Sequence, residues 1–296
     1  MAKRFEKMNE FEIDKKQMRR AFSRAATSYD ATAVLQREVC GRMLERLEYI
    51  KLKPSRILDV GSGTGWGTRQ LMAKYPTAQM IALDIAMGML RTARGSSSWW
   101  QKIFSKEKSV VICADVEALP IASNSLDMVW SNLTVQWCND LPATIVDLHR
   151  VLKVEGLLMF STFGPDTLKE LRLAFHGVDA HNHTNRFADM HDIGDMLSHG
   201  GFAEPVMDME YLTLTYDDVR GVLHDLKAIG ANNATAGRGQ GLMGKNAWKM
   251  LVENYEGLRR DGKLPATYEV IYGHAWKPVP KKTADGRAII KTSFKL

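Results

Sequence analysis

An α/β fold on a mostly parallel sheet is predicted by three features of the sequence. Five short apolar segments alternate with helix-like stretches, a glycine-rich turn directly follows the first of them, and acidic residues close the next two. Strands separated by helices imply right-handed crossovers, with ligand sites at the carboxyl ends of the strands.

The elements are justified in chain order. Residues 14–50 read as helical, because Val34, Leu35, Val39, Met43, Leu44 and Leu47 recur at helical spacing before Pro54. The strands are expected at 56–60, 79–83, 109–113, 126–130 and 156–160. Helices are expected after the glycines to about Lys74, from Ala86 to Arg94 and from Ala143 to Leu152. Further on, 164–175 and 189–199 read as helices, Met207–Tyr216 as a strand, Asp217–Ile229 and 247–260 as helices, and Tyr268–Trp276 as the last strand.

The 296 residues are 45% hydrophobic and 25% charged, which excludes disordered, collagenous and disulfide-rich classes. Cys40, Cys113 and Cys138 form no Cys-x-x-Cys pair. The charged N-terminus lacks an apolar h-region and no run of 18 apolar residues occurs, so a cytoplasmic chain without membrane insertion is expected. The net charge is +6. Residues 277–296 contribute +5 of it and the cations between Arg91 and Lys108 another +4, leaving the remainder at −3. Two local basic patches on a near-neutral body point away from a protein that coats nucleic acid. The aromatic and lysine-rich stretch 95–108 reads either as a docking patch or as cover for the sheet edge. His176, His181, His183, His191 and His199 lack a His-x-x-x-His pair with carboxylates, so no metal is expected. No Gly-x-Ser-x-Gly elbow is present.

The sharpest motif is Leu58-Asp59-Val60-Gly61-Ser62-Gly63-Thr64-Gly65. A dinucleotide fingerprint would need glycine where Trp66 stands, and a P-loop would need a lysine that is absent. The stretch resembles the Asp-x-Gly-x-Gly-x-Gly loop of class I S-adenosylmethionine methyltransferases. That resemblance implies a methyl-donor site made by Asp59, Gly61, Ser62, Gly63 and Gly65, with Asp84 and Ile85 at the ribose, Asp115 and Val116 at the adenine, and Asn132 where donor and acceptor meet. Each aspartate taken alone could equally be a turn or a helix cap.

A second set of motifs is more specific: Phe22-Ser-Arg-Ala-Ala26, Tyr29-Asp30, Ser131-Asn-Leu-Thr-Val-Gln-Trp-Cys138, His183-Thr-Asn-Arg-Phe187, Leu226-Lys-Ala-Ile-Gly-Ala231 and Leu264-Pro-Ala-Thr-Tyr268. Together these resemble the malonyl-acyl-carrier-protein O-methyltransferase family of biotin synthesis over about residues 18–276. The resemblance implies a seven-stranded sheet, an N-terminal helical lid over 1–52, and a methyltransferase domain over 53–276. It also implies helical insertions at about 164–200 and 217–262, ahead of a basic tail at 277–296. It implies acyl-carrier protein as partner, Tyr29 and Arg186 as catalytic residues, and Gln136, Trp137, Phe187 and Arg150 around the acceptor. Arg186 is expected to grip the malonyl carboxylate, since guanidinium binds carboxylate bidentately. Asn139-Asp-Leu-Pro142 and 163–172 instead resemble complex I assembly relatives associated with arginine hydroxylation, which leave Val-Gln-Trp-Cys unexplained. Quinone-type small-molecule methylation, and a non-catalytic assembly protein with a relic pocket, are the remaining alternatives.

Overall fold

Alternate residues of a strand face opposite sides of a sheet, and in the central strands here both sets are apolar. Ile57, Met80, Met128, Trp130 and Met159 join one buried cluster, while Leu58, Ile81, Val129 and Leu158 join another. A sheet with two greasy faces needs helices on both. The computed structural model, which describes residues 11–95, 109–179, 181, 183–229, 235, 237 and 243–280, has this form.

The strands are β1 (Arg56–Val60), β2 (Gln79–Asp84), β3 (Ser109–Cys113), β4 (Leu126–Asn132), β5 (Leu152–Phe163), β6 (Ala203–Tyr216) and β7 (Leu264–Trp276). They lie in the order β3-β2-β1-β4-β5-β7-β6. β1 to β5 are parallel, whereas β7 runs antiparallel to both β5 and β6. The chain order reverses between β1 and β4, which puts a crevice beyond the carboxyl end of β1.

The helices are α1 (Lys15–Ala25), α2 (Tyr29–Thr32), α3 (Val34–Arg46), α4 (Trp66–Lys74), α5 (Met87–Gly95), α6 (Leu141–Val151), α7 (Lys169–Phe175), α8 (Met190–His199), α9 (Val219–Ala228) and α10 (Lys245–Glu256). Side-chain caps start several of them. Asp14 accepts from Gln17 N at 3.0 Å, Asp140 from Ala143 N at 2.9 Å and Asp218 from Gly221 N at 2.8 Å. No helix among the described residues is long and apolar enough to cross a membrane.

Three details differ from the sequence expectation. The last strands are longer than their apolar centres, because β6 and β7 pair residue for residue from Met207↔Gly273 to Tyr216↔Leu264 and main-chain bonds carry the ladder past polar positions. The helix expected from 164 starts only at Lys169, since Gly164 N and Leu168 N are already bonded to Glu269 O and Thr267 O of β7, at 2.9 and 2.6 Å. The stretch expected as one insertion over 164–200 divides between the two faces. α8 packs on β6 and α6 as an ordinary layer helix, while α7 packs against α10 across the sheet. The 96–108 stretch and the tail from 281 lie outside the described residues.

The N-terminal helices fold back over the crevice. α1 crosses α5 so closely that a Cβ on Gly88 would lie 2.7 Å from Ser23 O, and only glycine permits that approach. Ile13 bridges to Thr235, and Ser28 Oγ donates to Ala228 O at 3.3 Å, which ties the segment to the end of α9.

Candidate active site

Three glycines take left-handed backbone angles in the turn after β1: Gly61 at φ 71°, Gly63 at 55° and Gly65 at 80°. Gly61 N and Ser62 N both donate to Leu83 O, at 2.7 and 3.0 Å, which locks the turn onto β2. Gly65 turns the chain into α4. Asp84 closes β2 with Oδ2 accepting from Gly63 N at 2.9 Å and Oδ1 from Ala86 N at 2.7 Å. One carboxylate thus holds both the glycine turn and the start of α5. Asp84 is 8% exposed, and burial pushes its carboxyl up to about 6 against the two N–H bonds that favour ionisation. Asp59 lies behind the turn at 3% exposure, and its Oδ2 accepts from Thr68 Oγ1 at 2.5 Å. Burial pushes it up to about 7, with the charge of Asp84 adding to the shift.

A pocket beside this turn is walled by Gly61, Gly63, Asp84, Ile85, Asp115, Val116, Asn132 and Trp137, together with Tyr29 and Phe22 of the N-terminal segment. These residues come from the carboxyl ends of β1 to β4, as the sequence order implied. Asp115 also meets Lys15 at 3.2 Å, a contact that ties α1 to the far end of the pocket. Asn132 is held from two sides: its Nδ2 donates to Gln36 O at 2.9 Å and its Oδ1 accepts from Ser161 Oγ at 2.9 Å. Leu133, next in the chain, carries a left-handed φ of 49° and donates to Ser161 Oγ at 3.0 Å. Strain of this kind concentrates at functional sites.

The pocket continues under the turn into a cleft lined by Asp59, Ser62, Gln36 and Trp130. Three polar atoms there are buried without a hydrogen-bond partner: Gln36 Oε1, Ser62 Oγ and Trp130 Nε1. Unpaired buried polar atoms are costly, so their convergence on one carboxylate marks a place for a ligand with both donors and acceptors. A zwitterionic amino-acid end, with an ammonium for Asp59 and Gln36 Oε1 and a carboxylate for Trp130 Nε1 and Ser62 Oγ, matches this set.

On its other side Trp137 walls a second cavity, shared with Gln136, Phe187, Phe163, Tyr268 and Gln36. Phe22 packs edge-on against Trp137 at 5.3 Å, and Phe187 against Phe163 at 5.7 Å. Thr162 Oγ1 donates to Gln136 Oε1 at 3.3 Å, which leaves the amide N–H groups of Gln136 as its available donors. Tyr29 lies with its ring against Gly63 and lines both the pocket and the cleft below. Burial, with Asp84 and Asp30 nearby, pushes its hydroxyl pKa up, so it remains a protonated donor.

Two sequence expectations are corrected. Arg150 does not reach the acceptor cavity: it sits beyond the amino end of β4, at the sheet edge opposite the glycine turn. There it bonds Asp147 Oδ1 at 2.6 Å, Ile121 O at 2.7 Å and Leu119 O at 3.2 Å, and so holds the loop that leads into β4. Arg186 does not line the acceptor cavity either. It is exposed in an adjoining groove, its guanidinium 5.7 Å above the Phe11 ring, because the chain turns outward between Asn185 and Phe187. Among the described residues no lysine or arginine lines that cavity. Lys277 of the tail is also committed: its Nζ caps the end of α6 through His149 O and Leu152 O, at 2.9 and 2.8 Å. Among the described residues no three His, Cys, Asp or Glu side chains converge as metal ligands would. The sequence reading assigned no role to Lys15, Trp130 or Thr134. No local pattern marks Lys15 or Thr134, since Lys15 meets Asp115 and Thr134 abuts Gly61 only in the folded chain.

The strand order, with an antiparallel β7 and a glycine turn at the reversal point, defines the class I methyltransferase fold. Residues 58–160 match the family model described as a methyltransferase domain. The chain belongs to the malonyl-[acyl-carrier protein] O-methyltransferase family. It is 78% identical over 289 residues to a protein of that name from Gallionella capsiferriformans, covering 98% of this chain and 100% of the relative. It is 58% identical to another from Nitrosospira multiformis, covering 91% of each. Among solved structures it resembles the YcgJ protein of Bacillus subtilis, with a TM-score of 0.57, 17% identity and coverage of 82% of this chain and 99% of that one. It also resembles the [4+2]-cyclase SpnF, with a TM-score of 0.51, 19% identity and coverage of 81% and 82%. At such identities these two share the fold alone.

Proposed function

We propose that the chain transfers a methyl group to the free carboxylate of a malonyl thioester carried on acyl-carrier protein, giving the methyl ester that starts a pimeloyl chain for biotin. The observation that carries this reading is the pair of spaces separated by Trp137: a donor pocket built on charge and orphaned polar atoms, and a largely apolar acceptor cavity that no lysine or arginine lines among the described residues. S-adenosylmethionine, when bound, supplies a methyl group already activated on a sulfonium. Gly61, Gly63, Asp84 and Asp115 would hold its nucleoside, and Asp59 with the orphaned polar atoms its amino-acid end.

The acceptor carboxylate is ionised at neutral pH, so the chain needs no general base. What its residues do is orient and dehydrate. Trp137, Phe163 and Phe187 exclude water that would solvate the nucleophile, while neutral donors such as the Gln136 amide and the Tyr29 hydroxyl hold it in line. Neutral donors suit the task better than Arg186 would: an ion pair would bind the carboxylate strongly but lower its nucleophilicity. The covering helices α1 and α2 would act as the lid. The deciding assay is purified protein with tritiated donor and malonyl-carrier protein, which is expected to give a base-labile methyl ester on the carrier. Label on a quinone precursor and none on the carrier would overturn the reading.

Proton linkage gives a second expected result. Asp84 and Asp59 stand at about 6 and about 7 in the free protein, against an ordinary 3.8. The folded state therefore holds protons that the unfolded chain has lost, and the free protein loses stability as pH rises from about 4 through 7. A cationic ligand favours both carboxylates, so binding lowers these pKa values and releases protons. Donor affinity should rise from pH 5.5 to 8. Calorimetry in buffers of different ionisation enthalpy should show proton release near pH 6.5, and none would contradict the assignment of these carboxylates.

The carrier is acidic, and the exposed face of α1 is basic. Lys16, Arg19, Arg20 and Arg24 are exposed there, with Arg91 on the adjoining α5, and none forms an ion pair with a described carboxylate. Docking on this face would press the lid onto the donor pocket. Reversing Arg19, Arg20 and Arg24 to Glu should raise KM for malonyl-carrier protein about 10-fold at low salt. The effect should shrink at about 0.5 M salt, where charges are screened. An unchanged KM at low salt would remove α1 as the dock.

A further inference from the structure

The acceptor cavity opens at its outer end into a wider groove. Gln136, Phe175, His183, Thr184, Asn185 and Phe187 line both, so they form the neck between the two spaces. At the inner end Trp137 faces the donor pocket. Groove and cavity share the neck, and Trp137 is common to the cavity and the donor pocket, so the three spaces lie in succession from the surface to the site of methyl transfer. The neck is rigid. The His183 ring stacks on Phe175 at 3.4 Å and 4°, and its Nε2 pairs with Asp179 Oδ1 at 2.7 Å.

The walls change character along this succession. The inner cavity is largely aromatic and aliphatic. The neck holds a buried polar atom without a partner, Asn185 Oδ1. The outer groove is lined by Arg172 and Arg186 and by Glu12, Asp140, Asp179, Asp189 and Asp192. Asp140, Asp179 and Asp189 are engaged by Ala143 N, His183 Nε2 and His191 N, while Arg186 is exposed, packed near Phe11 and in no ion pair with a described carboxylate. On the malonyl reading, an occupant would be short and charged at the inner end, would bear N–H donors at the neck, and would present an anionic group to the free guanidinium of Arg186 at the rim. An acyl tail fits only the inner part, since it offers nothing to Asn185 or Arg186.

We infer that the groove binds a phosphopantetheine-type arm, with Asn185 Oδ1 accepting an arm amide N–H and Arg186 receiving the arm's phosphate. The inference rests on the malonyl-thioester reading and adds to it the binding of the arm. It gives Arg186 a positioning role at the far end of the substrate instead of contact with the reacting carboxylate. Guanidinium suits the task, since it matches phosphate oxygens in a bidentate fork.

The test compares malonyl-coenzyme A, which carries the arm and a phosphate, with malonyl ethyl thioester, which carries the same reacting carboxylate and no arm. With Arg186→Ala, KM for malonyl-coenzyme A should rise about 10-fold and KM for the ethyl thioester less than about twofold, as expected for loss of a charge-assisted contact. Arg186→Lys, which keeps a point charge, should recover part of the loss. Asn185→Ala should show the same selectivity with a rise of about fivefold. Free 4′-phosphopantetheine should compete with malonyl-coenzyme A in the unmodified protein and fail to do so with Arg186→Ala. Thermal unfolding of each variant establishes that it folds. Equal rises for both substrates would return Arg186 to the malonyl carboxylate and overturn the inference. Unchanged KM for malonyl-coenzyme A in both alanine variants would also overturn it. If the unmodified protein methylates neither thioester nor malonyl-carrier protein, the function itself fails, and the inference with it.

Discussion

Replacing Gly61 by Ala is expected to weaken donor binding by more than about 100-fold and to lower the melting temperature by about 6–10 °C, on the scale that roughly 1 kcal/mol shifts a domain of this size by 2–4 °C. Two independent costs combine. The backbone at Gly61 sits at φ 71°, which an L side chain adopts only at a penalty of order 1 kcal/mol. A Cβ there would also fall 2.0 Å from Thr134 Oγ1 and 2.5 Å from Thr134 Cγ2, well inside contact distance. Thr134 cannot easily retreat, because it follows the strained Leu133 and its hydroxyl donates to Asn132 O at 3.1 Å. The turn must therefore shift, and it is the turn that shapes the donor pocket. Overpacking of this kind typically costs a further 1–3 kcal/mol. The double variant Gly61→Ala with Thr134→Ala relieves part of the clash. It should recover part of the stability, since the two nearest Thr134 atoms go while Thr134 Cβ, 2.7 Å away, and the backbone penalty remain. Donor affinity by calorimetry and melting by scanning calorimetry measure both. A single variant that binds the donor within about threefold of the unmodified protein would refute the geometric argument.

Replacing Asp84 by Asn is expected to be nearly as damaging to binding, with a different signature. Asp84 accepts from Gly63 N and Ala86 N at once, so one carboxylate fixes the end of β2, the glycine turn and the entry to α5. An amide has one oxygen and presents its NH2 to the second N–H. One bond is lost and a donor faces a donor at a site that is 8% exposed. Loss of a charge-assisted bond at a buried site costs about 1.5–3 kcal/mol. With the proposed contact to the donor's ribose also lost, a fall of about 100-fold in donor affinity is expected. The variant also removes a titrating group, so part of the proton release on binding should vanish. If Asp84→Asn bound the donor normally and released the same number of protons, Asp84 would be a structural cap alone. Asp84→Glu serves as a control, because it keeps the charge while the longer side chain displaces the turn.

The donor side of the site was legible because its parts are local. A strand end and the residues just after it are neighbours in sequence and in space, so Gly61, Gly63, Asp84, Asp115 and Asn132 could be placed by counting along the chain. Their chemistry is also written in their type: glycine takes the left-handed turn at least cost, and a carboxylate offers two oxygens to separate N–H donors. The acceptor side was less legible. Its walls come from α3, the loop after β4, α7, the 183–187 loop, α9 and β7, and no periodicity in the sequence links Gln36 to Tyr268. Arg186 shows the difference most directly. Its type and motif suggested a carboxylate grip, but whether a loop residue points into a cavity or out of it depends on how the loop is anchored, here by Phe187 packing on Phe163 and His183 stacking on Phe175. Arg150 was misplaced for a related reason. Its helix ends beside the strand, but at the amino edge, where its donors serve loop carbonyls.

The sequence by itself determined the sheet, its crossovers, the glycine turn and the class of methyl donor, because strand and helix patterns and residue chemistry act over a few residues. Only the tertiary structure decided which cations are free and which are spent, as with Lys15 on Asp115 across 100 residues and Lys277 on the end of α6. It alone also placed the donor pocket, cavity and groove in succession, with Trp137 between the first two. Such contacts close long loops, and their partners are chosen by packing, which no local pattern records.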